Sequence, residues 1–390
     1  MRVVFSCVPQ TGHVLPLLSL AEAFAERGDE VVVASGPEVE EAVAARGLGF
    51  RAVSPAFSEW FGALRARTRG VPGDGLDPSR VETYFVPRLF GEIGTALVVD
   101  GLLELCRELA PELLVFDPYL FAAPLVAAAT GAHPVLHCIG PVMDRSILEL
   151  VADAVSPIWR EFSLPVLDSA GVFSGTTLTI CPPSFDPSAA AIAGSEAMRP
   201  APLPKAGSRA LPVLFADPGR PLVYMTLGTF SNNDLELFRL VLLSLGDEPV
   251  NVLATIGRDN DPRSLGPLPA NARVERFIPQ ADVLGHCAAV VHHAGAGTTF
   301  GVLAHGLASL ALPQSADNFK NATLLGFAGA AQVLMPGEVT PESVRSGVRA
   351  VLGTARYRDC ARLLAGEIRA MAPPSDIAGL LAARHSRATM

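Results

Sequence analysis

Short apolar runs alternate with helix-like stretches along most of this chain, and that alternation constrains the fold more than any other feature. In the first half the apolar runs are Val3–Val8, Glu30–Ala34, Leu113–Phe116 and Pro134–Cys138. Helical patterns lie between the early ones, at Leu15–Glu26 and Glu38–Ala45. Alternating strands and helices are typical of βαβ units, whose strands are parallel. The sequence therefore predicts an α/β fold built on a doubly wound, mostly parallel sheet.

The length and a proline-rich passage predict two domains. A chain of 390 residues is too long for one ordinary domain. Prolines cluster from Arg199 to Pro212, and a second series of apolar runs then follows, at Leu222–Leu227, Val250–Ile256, Ala289–His292 and Ser309–Leu312. We expect one domain over residues 1–205, a second over 215–372, and a tail over 373–390 that returns to the first domain.

The alternation fails between residues 55 and 95, where aromatic side chains stand among arginine, glycine and proline. This pattern predicts a long, loop-rich segment of the kind that often carries function. Its aromatic residues could line an apolar cleft for a flat or polycyclic molecule, or could equally belong to the core. The candidate lining residues, with one methionine from later in the chain, are Phe57, Trp60, Phe61, Tyr84, Phe85 and Met143.

Charge and cysteine content exclude several classes of protein. A net charge of −9 argues against a nucleic-acid partner, because such proteins carry a basic face. The six cysteines form no CxxC pair, which favours buried thiols in a reducing cytoplasm over disulfides or a zinc site. The N-terminus, MRVVFSCVP, is typical of a first strand and not of a signal peptide.

One uncharged segment, Pro118–Met143, is long enough to cross a bilayer. Pro124, Gly131 and Pro134 interrupt it, so we expect a buried helix and strand without stable membrane insertion.

The segment from Ala289 to Leu303 predicts a strand, a glycine-rich turn and a helix. The strand ends in His292 and His293, and the turn runs through Gly295 and Gly297 to Thr299. Glycine lets the main chain approach a ligand closely, and the first N–H groups of a helix can bind an anion. The alternative is a tight turn with no ligand. A second polar cluster, Gln314–Asn318, follows the next strand, and neighbouring strand ends in such sheets form binding sites.

A candidate base lies at the other end of the chain. His13 follows the first strand, and Asp117 ends the strand Leu113–Phe116, so both are expected at the same sheet edge. Histidine can accept a proton near neutral pH, and a carboxylate can hold it in one tautomer. The alternatives are a surface histidine at a helix N-terminus and an aspartate that caps a helix beginning at Pro118.

Three motifs in order resemble the nucleotide-sugar signature of inverting glycosyltransferases of family 1, in its natural-product, macrolide-type branch. They are Pro279-Gln280, then HAGAGTT, then the proline-containing PQxxD segment ending at Asp317. The resemblance runs from the Gly12-His13 turn to about residue 370. It implies a GT-B fold, with two Rossmann-like doubly wound domains facing across a cleft. The first half would bind a small hydrophobic aglycone and the second a nucleotide sugar.

The same resemblance implies roles for individual residues. His13 and Asp117 match the family's catalytic dyad, Phe277 would stack on the base where a tryptophan is usual, and Asp317 and Asn318 would bind sugar hydroxyls. The full set expected to bind the donor is Gly12, Gly228, Thr229, Phe277, Ile278, Gln280, His293, Gly295, Ala296, Gly297, Thr298, Thr299, Asp317 and Asn318.

Two departures from the family pattern concern the donor. Asn318 stands where glutamine is more common, which alters the reach toward the sugar. Gly301 stands where plant-type relatives carry a glutamate that grips the ribose hydroxyls. Losing that acceptor favours a dTDP-sugar over a UDP-sugar.

We expect no cofactor and no metal. A DxD pair, Asp259 and Asp261, lies in a turn-forming cluster and is interpreted as a turn. Two rival functions remain open at this point: an epimerase of the same fold, and an NAD-dependent oxidoreductase, although the glycine motif lacks the third glycine and the acidic residue of a dinucleotide site. The sequence leaves open a monomer or a homodimer.

Overall fold

The computed structural model describes residues 1–68, 78–200, 215–228 and 234–388. The chain divides into two compact units. The first unit comprises Met1–Cys181, Ser188–Ala201 and Met371–Met390, and the second comprises Pro182–Pro187 and Pro202–Ala370. Most of the proline-rich passage predicted as the linker lies outside the described residues. The short segment Pro182–Pro187 groups with the second unit, whereas we had assigned it to the first domain.

The first unit is built on a seven-stranded parallel sheet in the order β3-β2-β1-β4-β5-β6-β7. Its strands are β1 (Arg2–Ser6), β2 (Glu30–Ser35), β3 (Gly49–Ala52), β4 (Leu113–Phe116), β5 (His133–His137), β6 (Thr176–Thr179) and β7 (Ser195–Ala197). Val4 of β1 is paired with Val32 of β2 and Leu114 of β4. All four residues of β4 are buried, as expected for a strand covered on both faces.

Helices cover this sheet. They are α1 (Thr11–Glu26), α2 (Glu40–Ala44), α3 (Phe57–Thr68), α4 (Pro78–Phe85), α5 (Thr95–Leu109), α6 (Ala122–Thr130) and α7 (Arg145–Glu161). A π-helical stretch, Val86–Gly94, joins α4 to α5. The helix predicted at Glu38–Ala45 is split into a 3-10 turn, Pro37–Val39, and the short α2.

The prediction of a loop-rich segment between residues 55 and 95 is wrong for the residues that the structure describes. They form α3, α4 and the π-helical stretch. Trp60 of α3 is fully buried, and its ring packs directly against Gly94, where a Cβ atom would overlap the indole. This contact between distant parts of the chain stabilises α3, because tertiary packing supplies most helical stability.

The second unit repeats the arrangement with a six-stranded parallel sheet in the order β10-β9-β8-β11-β12-β13. Its strands are β8 (Leu222–Thr226), β9 (Asn251–Thr255), β10 (Ala272–Glu275), β11 (Ala289–His292), β12 (Ser309–Ala311) and β13 (Ala331–Val333). Its helices are α8 (Leu235–Ser244), α9 (Gln280–Leu284), α10 (Ala296–Ala304), α11 (Asn318–Phe327), α12 (Pro341–Gly353) and α13 (Ala355–Ala370).

The end of the chain belongs to the first unit. Met198 bridges to Ala372 in parallel, and the N–H of Arg199 donates to the carbonyl of Ala372 at 2.8 Å. The last helix, α14 (Pro374–Ala388), then packs against α1.

The uncharged segment at residues 118–143 forms α6, β5 and their connections, as expected. Among the described residues, no helix is both long enough and apolar enough to cross a membrane. All six cysteines lie in the described parts of the chain, and none forms a disulfide bond.

Each sheet has one point at which the strand order reverses. In the first unit it lies between β1 and β4, and in the second between β8 and β11. Successive crossovers leave these two strands in opposite directions across the sheet, which opens a crevice at their carboxyl ends where α/β proteins bind ligands. Of the sequence-predicted polar residues, His13 follows β1, Asp117 follows β4 and His293 follows β11.

Candidate active site

His13 and Asp117 come together at the reversal point of the first unit. His13 lies in the first turn of α1, after β1, and Asp117 follows β4 directly. Nδ1 of His13 is 3.3 Å from Oδ1 of Asp117. The His13 side chain is 18% exposed, whereas the Asp117 side chain is fully buried. Nδ1 of His13 does not meet hydrogen-bond geometry with any described residue, so the two groups are close without being aligned.

Main-chain donors hold the Asp117 carboxylate in place. Oδ2 accepts the N–H of Val8 at 2.6 Å, and Oδ1 accepts the N–H of Tyr119 at 2.7 Å. The first bond joins the carboxylate to the end of β1 and the second folds the chain into a tight turn. Asp117 is therefore not the cap of a helix beginning at Pro118, since α6 starts only at Ala122. Its role in this structure is to face His13 from a fixed position.

Aromatic rings surround the His13 imidazole. Its ring centroid lies 6.4 Å from Phe90, nearly parallel, and 5.4 Å from Tyr119, edge to face. Phe90 and Tyr119 are themselves 5.1 Å apart, and Phe57 lies 6.1 Å from Phe90. Tyr119 was missed from the sequence, although its place two residues after Asp117 was a usable signal.

The predicted aromatic residues divide into two groups. Phe57, Phe61, Tyr84 and Phe85 are half-buried. Trp60 is fully buried and Met143 is only 8% exposed, and both lie in the hydrophobic core of the first unit. Because the Trp60 side chain reaches no surface, the structure does not support Trp60 as a lining residue for a ligand, and Met143 could offer a ligand only a small part of its side chain.

In the second unit, His293 lies in a narrow slot between two glycines. A Cβ atom added to Gly228, which follows β8, would lie 2.5 Å from Cε1 of His293. A Cβ added to Gly295 would lie 2.8 Å from the same atom and closer still to Nε2. Gly228 also has φ of +72°, which favours glycine. Both glycines are therefore required for His293 to sit at this reversal point.

Burial keeps the histidines of this turn neutral. It lowers the pKa of His293 to about 4, and the pKa of His292 to about 3 with a smaller contribution from His293. Nδ1 of His292 accepts the N–H of Ala294 at 3.1 Å, so the proton of that ring lies on Nε2. Nδ1 of His293 is buried and has no hydrogen-bond partner among the residues that the structure describes.

The helix that follows the turn offers three main-chain donors. Gly295 is the N-cap of α10, and the first intrahelical bond runs from the N–H of Thr299 to the carbonyl of Gly295 at 2.9 Å. The N–H groups of Ala296, Gly297 and Thr298 precede it and lie at the positive end of the helix. Thr299 differs from the prediction, because its N–H is used inside the helix and its side chain is fully buried.

The Pro279-Gln280 motif contacts this helix directly. Nε2 of Gln280 donates to Oγ1 of Thr298 at 3.0 Å. Ile278 lies in an apolar core cluster and is 8% exposed, so its side chain is largely unavailable to a ligand. Phe277 is 48% exposed, and the guanidinium of Arg258 lies 3.8 Å from its ring centroid. The ring at the position where stacking on a base was predicted is therefore about half exposed, with Arg258 over one of its faces.

The second polar cluster lies after β12 and contacts the glycine-rich turn. Oδ1 of Asp317 accepts Nδ2 of Asn318 at 3.2 Å, and Oδ2 accepts Nδ2 of Asn321 at 2.9 Å. Asn321 also donates to the carbonyl of Ala294 at 2.9 Å. The structure thus brings together the two strand ends that the sequence paired, through a residue that the sequence analysis did not single out.

Two of the predicted donor residues remain. Gly12 belongs to the first unit, beside His13 in α1. Thr229 lies outside the described residues.

The DxD pair forms a turn, as predicted. The chain turns at residues 258–259, and Asp261 then caps a 3-10 helix by accepting the N–H of Arg263 at 3.0 Å. Its carboxylate also pairs with the Arg263 guanidinium at 2.6 Å. Hydrogen bonds from Arg263 lower the pKa of Asp261 to about 2. In the described part of the chain, no three His, Cys, Asp or Glu side chains are grouped so that they could hold a metal ion.

Known proteins match this chain along most of its length. Residues 239–383 match the family of erythromycin biosynthesis protein CIII-like C-terminal domains. Demethyllactenocin mycarosyltransferase from Streptomyces fradiae is 30% identical, over 97% of this chain and 86% of its own.

Solved structures agree with these relatives. The glycosyltransferase SnogD from Streptomyces nogalater is 29% identical with a TM-score of 0.75, and the match covers 99% of each chain. The glycosyltransferase SsfS6 from Streptomyces sp. SF2575, complexed with thymidine diphosphate, is 25% identical with a TM-score of 0.74, over 98% of this chain and 99% of its own. These relatives do not favour the epimerase or oxidoreductase alternatives. The chain belongs to the family 1 glycosyltransferases of antibiotic and other natural-product biosynthesis, which have the GT-B fold.

Proposed function

We propose that this enzyme transfers a sugar, in particular a deoxysugar, from a dTDP-sugar to a hydroxyl group of a small hydrophobic natural-product aglycone, with inversion at the anomeric carbon. The observation that carries the proposal is the pairing of a partly exposed His13 with a buried Asp117, whose nearest side-chain atoms are 3.3 Å apart at a sheet reversal point. A histidine that faces a buried carboxylate on one side and solvent on the other is suited to accept a proton from a substrate.

His13 would act as the general base. With Nδ1 directed at Asp117, the lone pair of Nε2 can take the proton of the attacking hydroxyl. The buried carboxylate would stabilise the imidazolium that forms. The 3.3 Å separation is longer than an aligned hydrogen bond, but such contacts often tighten only when substrate binds.

The bond changes then balance in a single displacement. The acceptor oxygen bonds to the anomeric carbon, the bond from that carbon to the diphosphate oxygen breaks, and the proton passes to His13. Attack opposite to the leaving group gives inversion. The diphosphate leaves with added negative charge, which donors fixed in advance can stabilise.

The glycine-rich turn supplies those donors. The N–H groups of Ala296, Gly297 and Thr298 point from the N-terminus of α10, and His293 lies beside them in its slot between Gly228 and Gly295. A neutral His293 can donate a hydrogen bond to a phosphate oxygen without the cost of burying a charge. Asp317 and Asn318 would bind sugar hydroxyls, and Phe277 would stack on the base.

Two observations support dTDP as the nucleotide. SsfS6 was solved with thymidine diphosphate. In this chain Gly301 has no side chain that could accept a hydrogen bond from a ribose hydroxyl. That position therefore gives no preference for ribose over deoxyribose.

The aromatic rings around His13 support a flat or polycyclic aglycone. Phe90 and Tyr119 lie beside the imidazole, and Phe90 also contacts Phe57. All three rings are half-buried, so their faces could pack on an apolar ring system near the base. We also propose that the reaction needs no metal, since Asp261 of the DxD pair is occupied by Arg263.

The test is a turnover assay with dTDP-sugars, UDP-sugars and a panel of polycyclic and macrocyclic aglycones, in the presence and absence of EDTA. We expect aglycone-dependent release of dTDP, a product of inverted anomeric configuration by NMR, and no effect of EDTA. Retention of configuration would rule out the single displacement, and a strong UDP preference would rule out the argument from Gly301. Sugar isomerisation without an aglycone would indicate an epimerase instead.

A further inference from the structure

Asn321 joins the two turns of the second unit through its side-chain amide. It lies in the first turns of α11 and is fully buried. Nδ2 donates to the carbonyl of Ala294 and to Oδ2 of Asp317, both at 2.9 Å. An asparagine amide has two N–H donors, so both are used. The orientation of the amide follows from these partners, because the reverse one would place its oxygen against two acceptors.

The first of these bonds fixes the glycine-rich turn. Ala294 has φ of +63°, a left-handed conformation that a residue with a Cβ atom adopts at an energetic cost. Its N–H donates to His292 at 3.1 Å, and its carbonyl accepts from Asn321. Side chains thus hold both polar groups of this main-chain unit. The conformation of Ala294 sets the direction in which the chain passes from His293 to the start of α10.

The second bond fixes the Asp317 carboxylate. One of its oxygens accepts from Asn318 at 3.2 Å and the other from Asn321 at 2.9 Å. The carboxylate is therefore held from both sides, by residues of the helix that it precedes. Ala294 follows β11 and Asp317 follows β12, so a single amide spans neighbouring strand ends.

We propose that Asn321 is a positioning residue that keeps the diphosphate-binding turn and the sugar-binding carboxylate in a fixed relation to each other. This inference rests on the proposed function, in which that turn and Asp317 bind different parts of one donor. Removing Asn321 then weakens recognition of both parts, whereas removing Asp317 weakens recognition of the sugar alone.

Asn271 provides a matched control. It is a buried asparagine of the same unit, and its Nδ2 also donates two bonds at 2.9 Å, to the carbonyls of Leu245 and Val250. In both residues Oδ1 is buried without a hydrogen-bond partner in the described structure. Asn271 precedes β10 and so lies at the amino edge of the sheet, opposite to the site. The loss of Asn271 should destabilise the fold about as much as the loss of Asn321 does. It should leave the donor site unchanged.

The experiment measures the Kd of dTDP and of dTDP-glucose by calorimetry for wild type, Asn321→Ala, Asn271→Ala and Asp317→Ala. We expect Asn321→Ala to weaken both ligands about tenfold, the size of one well-placed hydrogen bond. Asp317→Ala should weaken dTDP-glucose but not dTDP. Asn271→Ala should bind both as wild type does. Asn321→Ser keeps one donor and leaves a smaller cavity, so its Kd values should lie between those of wild type and Asn321→Ala. It replaces the alanine variant in the experiment if that variant does not fold.

Three outcomes would overturn the proposal. A folded Asn321→Ala or Asn321→Ser variant that binds dTDP as tightly as wild type would remove the link to the diphosphate turn. If Asn271→Ala weakened the binding of both ligands as much as Asn321→Ala does, the effect would be due to general destabilisation of the fold. Failure of the wild-type protein to bind dTDP would instead refute the proposed donor, and the role of Asn321 would fall with it.

Discussion

Each unit places a histidine at the point where its strand order reverses, and the two histidines have opposite surroundings. In the first unit His13 is 18% exposed and faces a buried carboxylate across 3.3 Å. In the second, His293 is 8% exposed and is enclosed by two glycines, and burial lowers its pKa to about 4. Exposure and a carboxylate suit the first histidine to proton transfer. Enclosure suits the second to hydrogen bonding without a change of charge. Burial, more than position in the fold, therefore separates the two proposed roles.

The largest expected effect comes from removing the exposed histidine. His13→Ala should lower kcat by roughly 10²- to 10⁴-fold, which is the usual contribution of a general base. Melting temperature should change little, because the side chain is partly exposed and Asp117 keeps its two main-chain donors. The matched control is His286→Ala, an exposed histidine of the second unit, which should leave kcat unchanged. Turnover of His13→Ala within threefold of wild type would refute the base assignment.

Adding a single methyl group beside the enclosed His293 should lower the stability of the protein. Gly295→Ala places a Cβ against the His293 ring, and displacing a buried ring or its main chain should lower the free energy of unfolding by about 1–3 kcal/mol. Gly297→Ala is the control, since nothing lies within 4 Å of a Cβ built there. In a helix that change should be neutral or stabilising by up to about 1 kcal/mol. Urea unfolding of the two variants measures the difference in their free energies of unfolding. Equal values would mean that Gly295 does not pack closely against the His293 ring.

Stacking on the base should give a smaller effect, confined to binding. Phe277→Ala should raise the Kd of dTDP by about fivefold or more, since base–aromatic stacking contributes about 1–3 kcal/mol. Phe327→Ala, at a phenylalanine that is 83% exposed at the end of α11, should not alter the Kd. Phe277→Trp should tighten binding by enlarging the ring. Unchanged affinity in Phe277→Ala would show that the base binds elsewhere.

Stability should also respond to pH, without any mutation. Burial lowers the pKa of His137 and His293 to about 4 and of His292 to about 3. Between pH ~6.5, the ordinary histidine value, and pH ~4, the unfolded chain binds protons that these folded residues do not. Stability is therefore complete above pH ~6.5 and is lost as the pH falls. Each of these residues would cost the fold about 2 kcal/mol by pH 5, so we expect the melting temperature to drop by about 10 °C between pH 7 and pH 5.

The control for this prediction is His286→Ala, which removes an exposed histidine and should leave the pH profile as it is. A melting temperature that stays constant or rises from pH 7 to pH 5 would contradict the neutral, buried state of these residues.

The same contrast between the units explains what the sequence could predict. The strands Ala289–His292 and Leu113–Phe116 have the predicted bounds, because a buried apolar run followed by turn residues is a local signal. The glycine-rich turn and the polar groups after β12 were recognisable for the same reason. Placing His13 beside Asp117 required only that two parallel strands end at one edge of the sheet.

The rest depended on contacts between distant residues. The helix α3 was missed because Trp60 is ordered by packing on Phe57, Phe90 and Gly94, and not by a periodic pattern. Asn321 was missed because its partner Ala294 lies 27 residues earlier, and an asparagine near the start of a helix is otherwise unremarkable. The burial of Trp60 and Met143 likewise follows from the assembled core.

The most direct test of the central claim is a thermal-shift titration of the wild-type protein with dTDP, UDP and NAD. A ligand that binds only the folded state stabilises it by about 2.7 kcal/mol at a hundred times its Kd. The account predicts a clear rise in melting temperature with dTDP, a smaller one with UDP and none with NAD. A rise with NAD alone, or none with dTDP, would contradict a nucleotide-sugar site at the glycine-rich turn.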